Sequence, residues 1–283
     1  MKRVPFLILV LCIVTGGNAM YGLDVSATAE LGVLRALHHT IQIGESGYRF
    51  DYVENGGQEI LLPYTRYELE LRAGDRHEIS FLYQPLTLVT RTRVDRSDGI
   101  QIDDVRFADD TPLDLRYGFD FYRGTYRYRI ISDSTWQVSA GVGLQIRNAS
   151  IIFDGYQQHD NNELTEARVV SQDLGPVPVL SSAIHRNFGN GFYIEGTIDG
   201  FYAPIRYLNL RDVDVIGWLY DAAIRVGFSA DERADVYTSV RFLGGGSDGT
   251  GRERELWTQS RLEPRYTSNN LNLAVMSFGV RLR

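Results

Sequence analysis

Histidine and aspartate side chains are the groups in this sequence that could activate a water molecule. A carboxylate that orients an imidazole turns the imidazole into a general base for hydrolysis. None of the five histidines lies in an Asp-x-His pair; they are His38, His39, His77, His159 and His185. The acidic pairs Asp103-Asp104, Asp109-Asp110 and Asp212-x-Asp214 therefore have no such partner. These residues predict no catalytic carboxylate–histidine pair.

Two serines have neighbours that suggest a nucleophile. Ser182 lies three residues before His185, but both are close to a predicted tight turn, and no His-Ser pair shares a strand face. Ser247 lies in a G-x-S-x-G pattern, Gly245–Gly249. That motif works as a strand, a sharp turn and a helix, and no helix is predicted here. We therefore predict a flexible external loop and assign no catalytic residue.

The segment Arg93 to Thr111 is rich in aspartate. It carries Asp95, Asp98, Asp103, Asp104, Asp109 and Asp110. Calcium loops place their ligands at alternate positions, whereas Asp95-x-x-Asp98-Gly99 does not. We predict a solvated acidic loop, with a weak Ca²⁺ or Mg²⁺ site as the alternative, and we assign no metal site and no cofactor.

Charged residues at every second position form the largest constellation. In a β-strand residues i and i+2 share a face, so Arg66 and Glu68 oppose Tyr67 and Leu69. The same alternation predicts one shared set of charges: Arg66, Glu68, Glu70, Arg72, Asp114, Arg116, Asp120, Arg123, Arg127, Arg129, Arg147, Glu195, Asp199, Asp221, Arg225 and Arg241. Paired charges would fill and stabilise a lumen; the alternative is a narrow polar conduit or a small-solute pocket.

Short turns alternate with longer polar stretches along the chain. Four tight turns are predicted, at 73–76, 132–134, 188–191 and 230–233. The longer stretches are Tyr52 to Glu59, Arg93 to Thr111, Asp154 to Gly175, Arg206 to Val213 and Gly244 to Glu255. About ten strands lie between them, with twelve possible, near 24–40, 60–72, 77–92, 112–131, 135–152, 176–187, 191–205, 214–229, 235–244 and 266–283. The predicted fold is all-β: a single antiparallel up-and-down transmembrane β-barrel.

The N-terminus predicts export. Residues 1–19 combine a basic start, an apolar stretch and small residues at a cleavage site, so a signal peptide is expected to precede a barrel domain over 20–283. The only cysteine, Cys12, lies inside that signal, which excludes disulfides in the remaining chain. The net charge of −7 argues against nucleic acid as a partner.

Three features favour apolar faces that point outward to lipid. The polar faces mix both charge signs, bulky aromatic residues lie toward strand ends, and a closed barrel is the β structure that a bilayer tolerates. The aromatic belts are expected to contain Trp136, Trp218, Tyr117, Phe119, Tyr126 and Tyr128. The alternation changes phase near Tyr122, which predicts a β-bulge.

The whole pattern resembles bacterial outer-membrane β-barrel proteins of the ten- to twelve-strand size class. That resemblance implies the Gram-negative outer membrane as location, with outer-membrane lipid, lipopolysaccharide and the barrel assembly machinery as partners. Such barrels usually end in an aromatic residue; here Met276, Phe278, Val280 and Leu282 keep the alternation before Arg283. Omptins, ten-stranded surface proteases of this class, use Asp pairs and an Asp-His pair, and the sequence does not match them at those residues.

Three functions remain open from the sequence. The first is a non-enzymatic barrel with a plugged lumen and long external loops, in a structural or surface ligand-binding role. The second is a narrow small-solute channel. The third is an interfacial outer-membrane hydrolase of unrecognised type. The pattern identifies no external ligand.

Overall fold

The computed structural model describes residues 23–159, 163–204, 214–252 and 264–283. The predicted signal peptide (1–19) and the predicted loop Arg206–Val213 lie outside these ranges. Among the described residues no helix is long and apolar enough to cross a membrane. The strands are β1 (Leu23–Ile43), β2 (Phe50–Asp51), β3 (Leu62–Ala73), β4 (His77–Gln84), β5 (Thr87–Arg93), β6 (Ile100–Ile102), β7 (Val105–Phe107), β8 (Pro112–Ser132), β9 (Trp136–Gln158), β10 (Leu164–Asn187), β11 (Phe192–Pro204), β12 (Asp214–Ser229), β13 (Ala234–Arg252) and β14 (Pro264–Leu282).

Ten antiparallel strands close into a barrel, which confirms the predicted fold. The ring runs β1, β3, β4, β8, β9, β10, β11, β12, β13 and β14, and β14 pairs back with β1. β5 follows β4 along the same edge of β8. The short strands β2, β6 and β7 are additional to the ten strands of the ring. Every strand of the ring therefore pairs with a neighbour on each side along at least part of its length, which closes the sheet as a bilayer requires.

The two ends of the barrel differ. At one end short turns join the strands, from Ala73 to His77 and from Ser229 to Ala234 for example, as predicted. At the other end two predicted loops are strands instead. β9 and β10 stay paired out to Gln158 and Leu164, and β13 stays paired out to Arg252. These segments are polar because water, rather than lipid, surrounds them.

The half of the barrel next to the tight turns, called the inner half below, is apolar outside and charged inside. In β11 the side chains of Ile194 and Ile198 are exposed on the outer surface, whereas Glu195 and Asp199 are buried. The outward apolar residues form what we call the apolar belt, which includes Leu31, Phe81, Val142, Leu144, Ile146, Leu180, Ile194, Ile198, Ile224, Phe242, Met276 and Phe278.

Aromatic residues lie at both rims of the apolar belt. On the outer rim Tyr83 stacks on Tyr122 at 5.0 Å and on Tyr67 at 6.3 Å between ring centroids. On the inner rim the rings of Phe192 and Phe228 are 5.0 Å apart. Interfacial aromatic girdles of this kind are typical of transmembrane barrels.

The outer half of the barrel has the opposite polarity. In β8 the boundary falls between Phe121 and Arg123: beyond it Leu115 and Tyr117 are buried inside, while Arg116 is exposed outside. The predicted bulge at Tyr122 is wrong, because β8 pairs with β4 and β9 through this position without a register shift. The strand keeps its alternation, and the surroundings change instead.

This inversion corrects part of the predicted aromatic belt. Tyr117 is 1% exposed and Phe119 packs against the interior core, so neither faces lipid. Trp136, Tyr126 and Tyr128 are exposed on the outer surface, as expected. Tyr117 and Phe119 instead belong to an apolar core that fills the outer half.

Candidate functional site: a lumen filled in two layers

Asp221 on β12 is one centre of the inner charge network. Arg66 of β3 donates a hydrogen bond to its carboxylate at 3.1 Å, and Arg123 of β8 lies 3.5 Å away. Arg241 of β13 also donates to it, and the Arg241 side chain is completely buried. Three strands from separate parts of the ring therefore meet on one carboxylate.

Glu30 on β1 and Glu195 on β11 share Arg225 as a second centre. The Arg225 guanidinium donates to Glu30 at 2.7 Å and to Glu195 at 2.6 Å. Arg281 of β14 donates to Glu195 at 2.9 Å, and the Tyr237 hydroxyl donates to Glu30 at 3.0 Å. Buried charges are stable when hydrogen-bonded and paired, and the carboxylates of Glu30 and Glu195 meet both conditions.

A third group of charges lies at the inner end. Arg127 bonds to Glu78, Arg129 lies 3.5 Å from the same carboxylate, and Arg72 donates to Glu70 at 2.5 Å. A cavity of about 100 Å³ among these side chains has room for a few water molecules. Ionic side chains therefore fill most of the inner half and surround this small cavity.

The structure brings most of the predicted charges together. Those inside the lumen are Arg66, Glu68, Glu70, Arg72, Arg123, Arg127, Arg129, Glu195, Asp199, Asp221, Arg225 and Arg241. The side chain of Arg147 is outside the described part of the chain. The lumen also contains four charged residues that the predicted set did not include, although the same alternation of side chains would have indicated them: Glu30, Glu78, Asp235 and Arg281.

For three residues of the predicted charge set, the prediction that they face the lumen is wrong. Asp114 pairs outside the barrel with Arg91, and Arg116 is exposed there. Asp120 accepts the backbone N–H of Leu86 at 3.2 Å, where β4 gives way to β5. All three lie on β8 beyond the boundary, where the outward face meets water and the interior is apolar.

The second layer is an apolar core in the outer half. The chain between β1 and β3 folds over the barrel mouth, where the rings of Phe50 and Phe153 meet edge to face at 5.5 Å. His39 lies within this layer, stacked on Tyr52 at 4.0 Å and within 2.7 Å of the Gln58 side-chain oxygen. The core members include Leu34, Ile41, Tyr64, Leu86, Leu88, Ile102, Phe107, Leu113, Leu115, Tyr117, Leu271 and Leu273.

Among the described residues, the histidines and serines first considered for chemistry form no hydrogen-bonded pair. His185 lies 3.7 Å from Glu195 inside the charge network and stacks on Tyr193. Ser247 lies within β13, so the predicted loop at Gly245–Gly249 is wrong. A side chain at Gly246 would overlap the Trp218 ring and the Asn269 carbonyl oxygen, which explains why glycine occurs in this strand.

The acidic segment after β5 is held by its own arginines. Arg93 donates to Asp110 at 3.0 Å, and Arg96 donates to Asp98 at 3.4 Å. Across the described ranges, no group of three or more histidine, cysteine or acidic residues could hold a metal ion.

Comparison with known proteins supports the fold. No protein-family model matches the sequence, and no curated protein matches it. The outer membrane protease OmpT from Escherichia coli superposes with a TM-score of 0.52 at 11% identity, over 95% of this chain and 99% of that chain.

Two further outer-membrane structures share less of the geometry. A FadL homologue from Pseudomonas aeruginosa has a TM-score of 0.40 at 8% identity, covering 92% of this chain and 90% of its own. The toluene transporter TodX of P. putida has a TM-score of 0.34 at 7% identity, covering 94% and 91%. The OmpT superposition confirms the expected resemblance: this chain has the fold of bacterial outer-membrane β-barrel proteins.

Proposed function

We propose that this protein is a closed outer-membrane barrel that anchors and presents its outer rim at the cell surface. The observation that carries the proposal is the filling of the lumen in two successive layers. The charge network blocks the inner half, and the apolar core around Phe50 and Tyr117 blocks the outer half. A solute channel would need a continuous polar path through both layers.

The outer rim is the surface left for recognition. Beyond the apolar belt, exposed charges pair across neighbouring strands, as Arg168 does with Asp154 and Arg91 with Asp114. Such pairs contribute little to stability because water screens them. Their place outside the apolar belt supports a structural or surface ligand-binding role for the hairpins that carry them.

Planar-bilayer recording tests whether the barrel is closed. We expect refolded protein lacking residues 1–19 to insert without single-channel conductance steps. A protein that produces steps of uniform size would overturn the closed barrel and favour the small-solute channel. Heat-modifiable gel mobility of the same sample shows that the silent protein is folded.

Cysteine labelling on intact cells tests the orientation. We expect Arg168→Cys on the outer hairpin to react with a membrane-impermeant maleimide, because its side chain projects beyond the apolar belt. Glu232→Cys lies in the tight turn between β12 and β13 and should react only after the outer membrane is permeabilised. The reverse order of labelling would show that the proposed rim faces the periplasm.

A further inference from the structure

The barrel wall has a seam between β10 and β11. In the described residues, pairing between these strands ends at Leu180 and Gly200, although β10 extends to Leu164 and β11 to Pro204. Each strand stays paired on its other edge, to β9 and to β12. Neither strand therefore leaves the wall, and only the ladder between them is missing.

Three prolines account for the missing ladder. The Phe188 N–H donates to the Phe192 carbonyl in the same register, so even-numbered residues form the hydrogen-bonded pairs of this ladder. The next two such pairs would be Pro178 with Tyr202 and Pro176 with Pro204. Proline has no N–H, so three of the four donors that these rungs require do not exist.

The seam begins at the outer rim of the apolar belt. Leu180, at the last rung, is 71% exposed, and Tyr202, just beyond it, is 73% exposed. Leu144 and Ile146 of β9 pair with the two β10 prolines, and their apolar side chains are exposed on the outer surface. The unpaired stretch therefore lies level with apolar outward side chains, which would place it beside the outer leaflet of a bilayer.

Unpartnered polar atoms lie directly behind the seam. Ser181 and Asp199 face each other one rung inside the last pair and are 5% and 6% exposed. Within the described part of the chain, Ser181 Oγ, Asp199 Oδ1 and the Gln145 Nε2 amide have no hydrogen-bond partner. Leaving such a buried group unsatisfied costs about 1–3 kcal/mol, so a polar group that enters here from outside the chain would be stabilised by these atoms.

We propose that the seam is a lateral binding site for a single-chain amphiphile that carries a hydroxyl or amide group. Its polar group donates to Asp199 Oδ1 and accepts from Ser181 Oγ, with Gln145 Nε2 as a second donor, while its chain passes between Pro178 and Tyr202 into the outer leaflet. The buried Val179 side chain supplies an apolar contact on the inner side.

The site ends blindly inside the barrel. Arg123 and Asp199 pair at 2.5 Å on its inner side, and the apolar core closes the outer side. The amphiphile therefore reaches the wall of the lumen without crossing the membrane. This inference does not depend on whether the lumen is closed, and only its assignment to the outer leaflet rests on the orientation in the proposed function.

Photolabelling in vesicles tests the site. The probe is a monoacylglycerol with a diazirine in its chain, and labelled residues are mapped by mass spectrometry. We expect adducts on the inward residues Val179 and Phe201 as well as on the lipid-facing Leu180 and Tyr202. An alkane diazirine of equal length should label only the lipid-facing pair. The proposal would be overturned if the monoacylglycerol gave no adducts on Val179 and Phe201. It would also be overturned if the alkane diazirine labelled these two residues as strongly as the monoacylglycerol does.

Substitutions separate the seam from the polar group. Pro176→Val with Pro178→Val restores two ladder donors and should lower the inward adducts about tenfold, which corresponds to about 1.4 kcal/mol. Pro63→Val, a proline on the outer surface of β3, is the matched control and should leave them unchanged.

A second variant keeps the test independent of folding in the first. Ser181→Ala should lower the inward adducts about fivefold to tenfold, the loss of one buried hydrogen bond, while Leu180 labelling stays constant. Unchanged inward labelling in Ser181→Ala, or in a folded double proline variant, would contradict the proposal. Heat-modifiable mobility identifies the folded samples.

Discussion

At the scale of single residues, the inner network depends on arginines that water cannot reach. Arg241 is completely buried, pairs with Asp221 and lies 3.5 Å from Glu30. Desolvating a guanidinium is costly, and the nearby carboxylates offset that cost only while both partners remain. The structural value of such a residue therefore lies in completing the network.

Replacing Arg241 should destabilise the barrel. We expect Arg241→Met to lower the free energy of unfolding by about 3–5 kcal/mol, because Asp221 and Glu30 lose a buried partner. The matched control is Arg168→Met, whose exposed pair with Asp154 should contribute less than about 1 kcal/mol. Urea unfolding in vesicles measures both. Equal losses in the two variants would contradict a special role for the buried pair.

Asp133 in the turn between β8 and β9 gives a pH-dependent contribution. The backbone N–H groups of Trp136 and Thr135 donate to its carboxylate at 2.7 and 2.8 Å and hold its pKa below the usual value. Because the pKa is lower in the folded state, the stabilisation is present above the unfolded pKa and disappears as the pH falls.

Asp133→Ala should therefore lower the urea midpoint at neutral pH but not at strongly acidic pH. The control is Asp75→Ala, in the turn between β3 and β4, where we expect a smaller change. Urea titrations across the pH range give the difference between each variant and the unmodified protein. A difference for Asp133→Ala that does not vary with pH would refute the role of its ionised carboxylate.

At the scale of strands, the alternation predicted the ring because it depends only on the backbone period. Arg123, Thr125 and Arg127 of β8 are interior, as predicted. The same rule failed for Asp114 and Arg116, since alternation separates two faces without showing what each face meets. Beyond the apolar belt, where the outer surface meets water instead of lipid, the apolar residues of a strand lie on its inner face. The two-residue alternation of the side chains stays the same.

The glycines of β13 were also misread. Clustered glycines indicate a loop by composition, and the close approach of Trp218 that requires them comes from a neighbouring strand. The seam at Pro176 and Pro178 was equally hidden, because its effect depends on which edge each nitrogen faces. Such features follow from strand register, which the sequence pattern alone does not contain.

A methyl group at Gly246 should disturb the strand. We expect Gly246→Ala to cost about 1–3 kcal/mol of stability, because its Cβ would overlap the Trp218 ring and the Asn269 carbonyl. Gly118→Ala on β8, where the nearest atom is 3.7 Å from the added carbon, is the matched control and should be nearly neutral. Similar unfolding midpoints for the two variants would argue against the close approach.

At the scale of the whole molecule, the two layers obstruct the lumen in series. Replacing residues 48–58 with a Gly-Ser linker removes Phe50, Tyr52 and Gln58 from the outer layer while the inner network stays complete. We expect this variant to bind an apolar fluorescent dye more strongly than the unmodified protein, yet to remain silent in planar bilayers. Conductance steps from this variant would show that the ionic layer does not seal the inner half.

The carboxylate of Glu30 also bears on biogenesis. It is carried by the first strand, yet its partners Arg225, Arg241, Tyr237 and Ser277 belong to the last three strands. In a sheet that has not yet closed, the Glu30 carboxylate on the first strand would therefore lack its cationic partners. It gains them only when β14 pairs with β1. The charged side chains that fill the lumen of the closed barrel would thereby destabilise a partly assembled, open barrel in the membrane. They would favour closure of the ring during insertion.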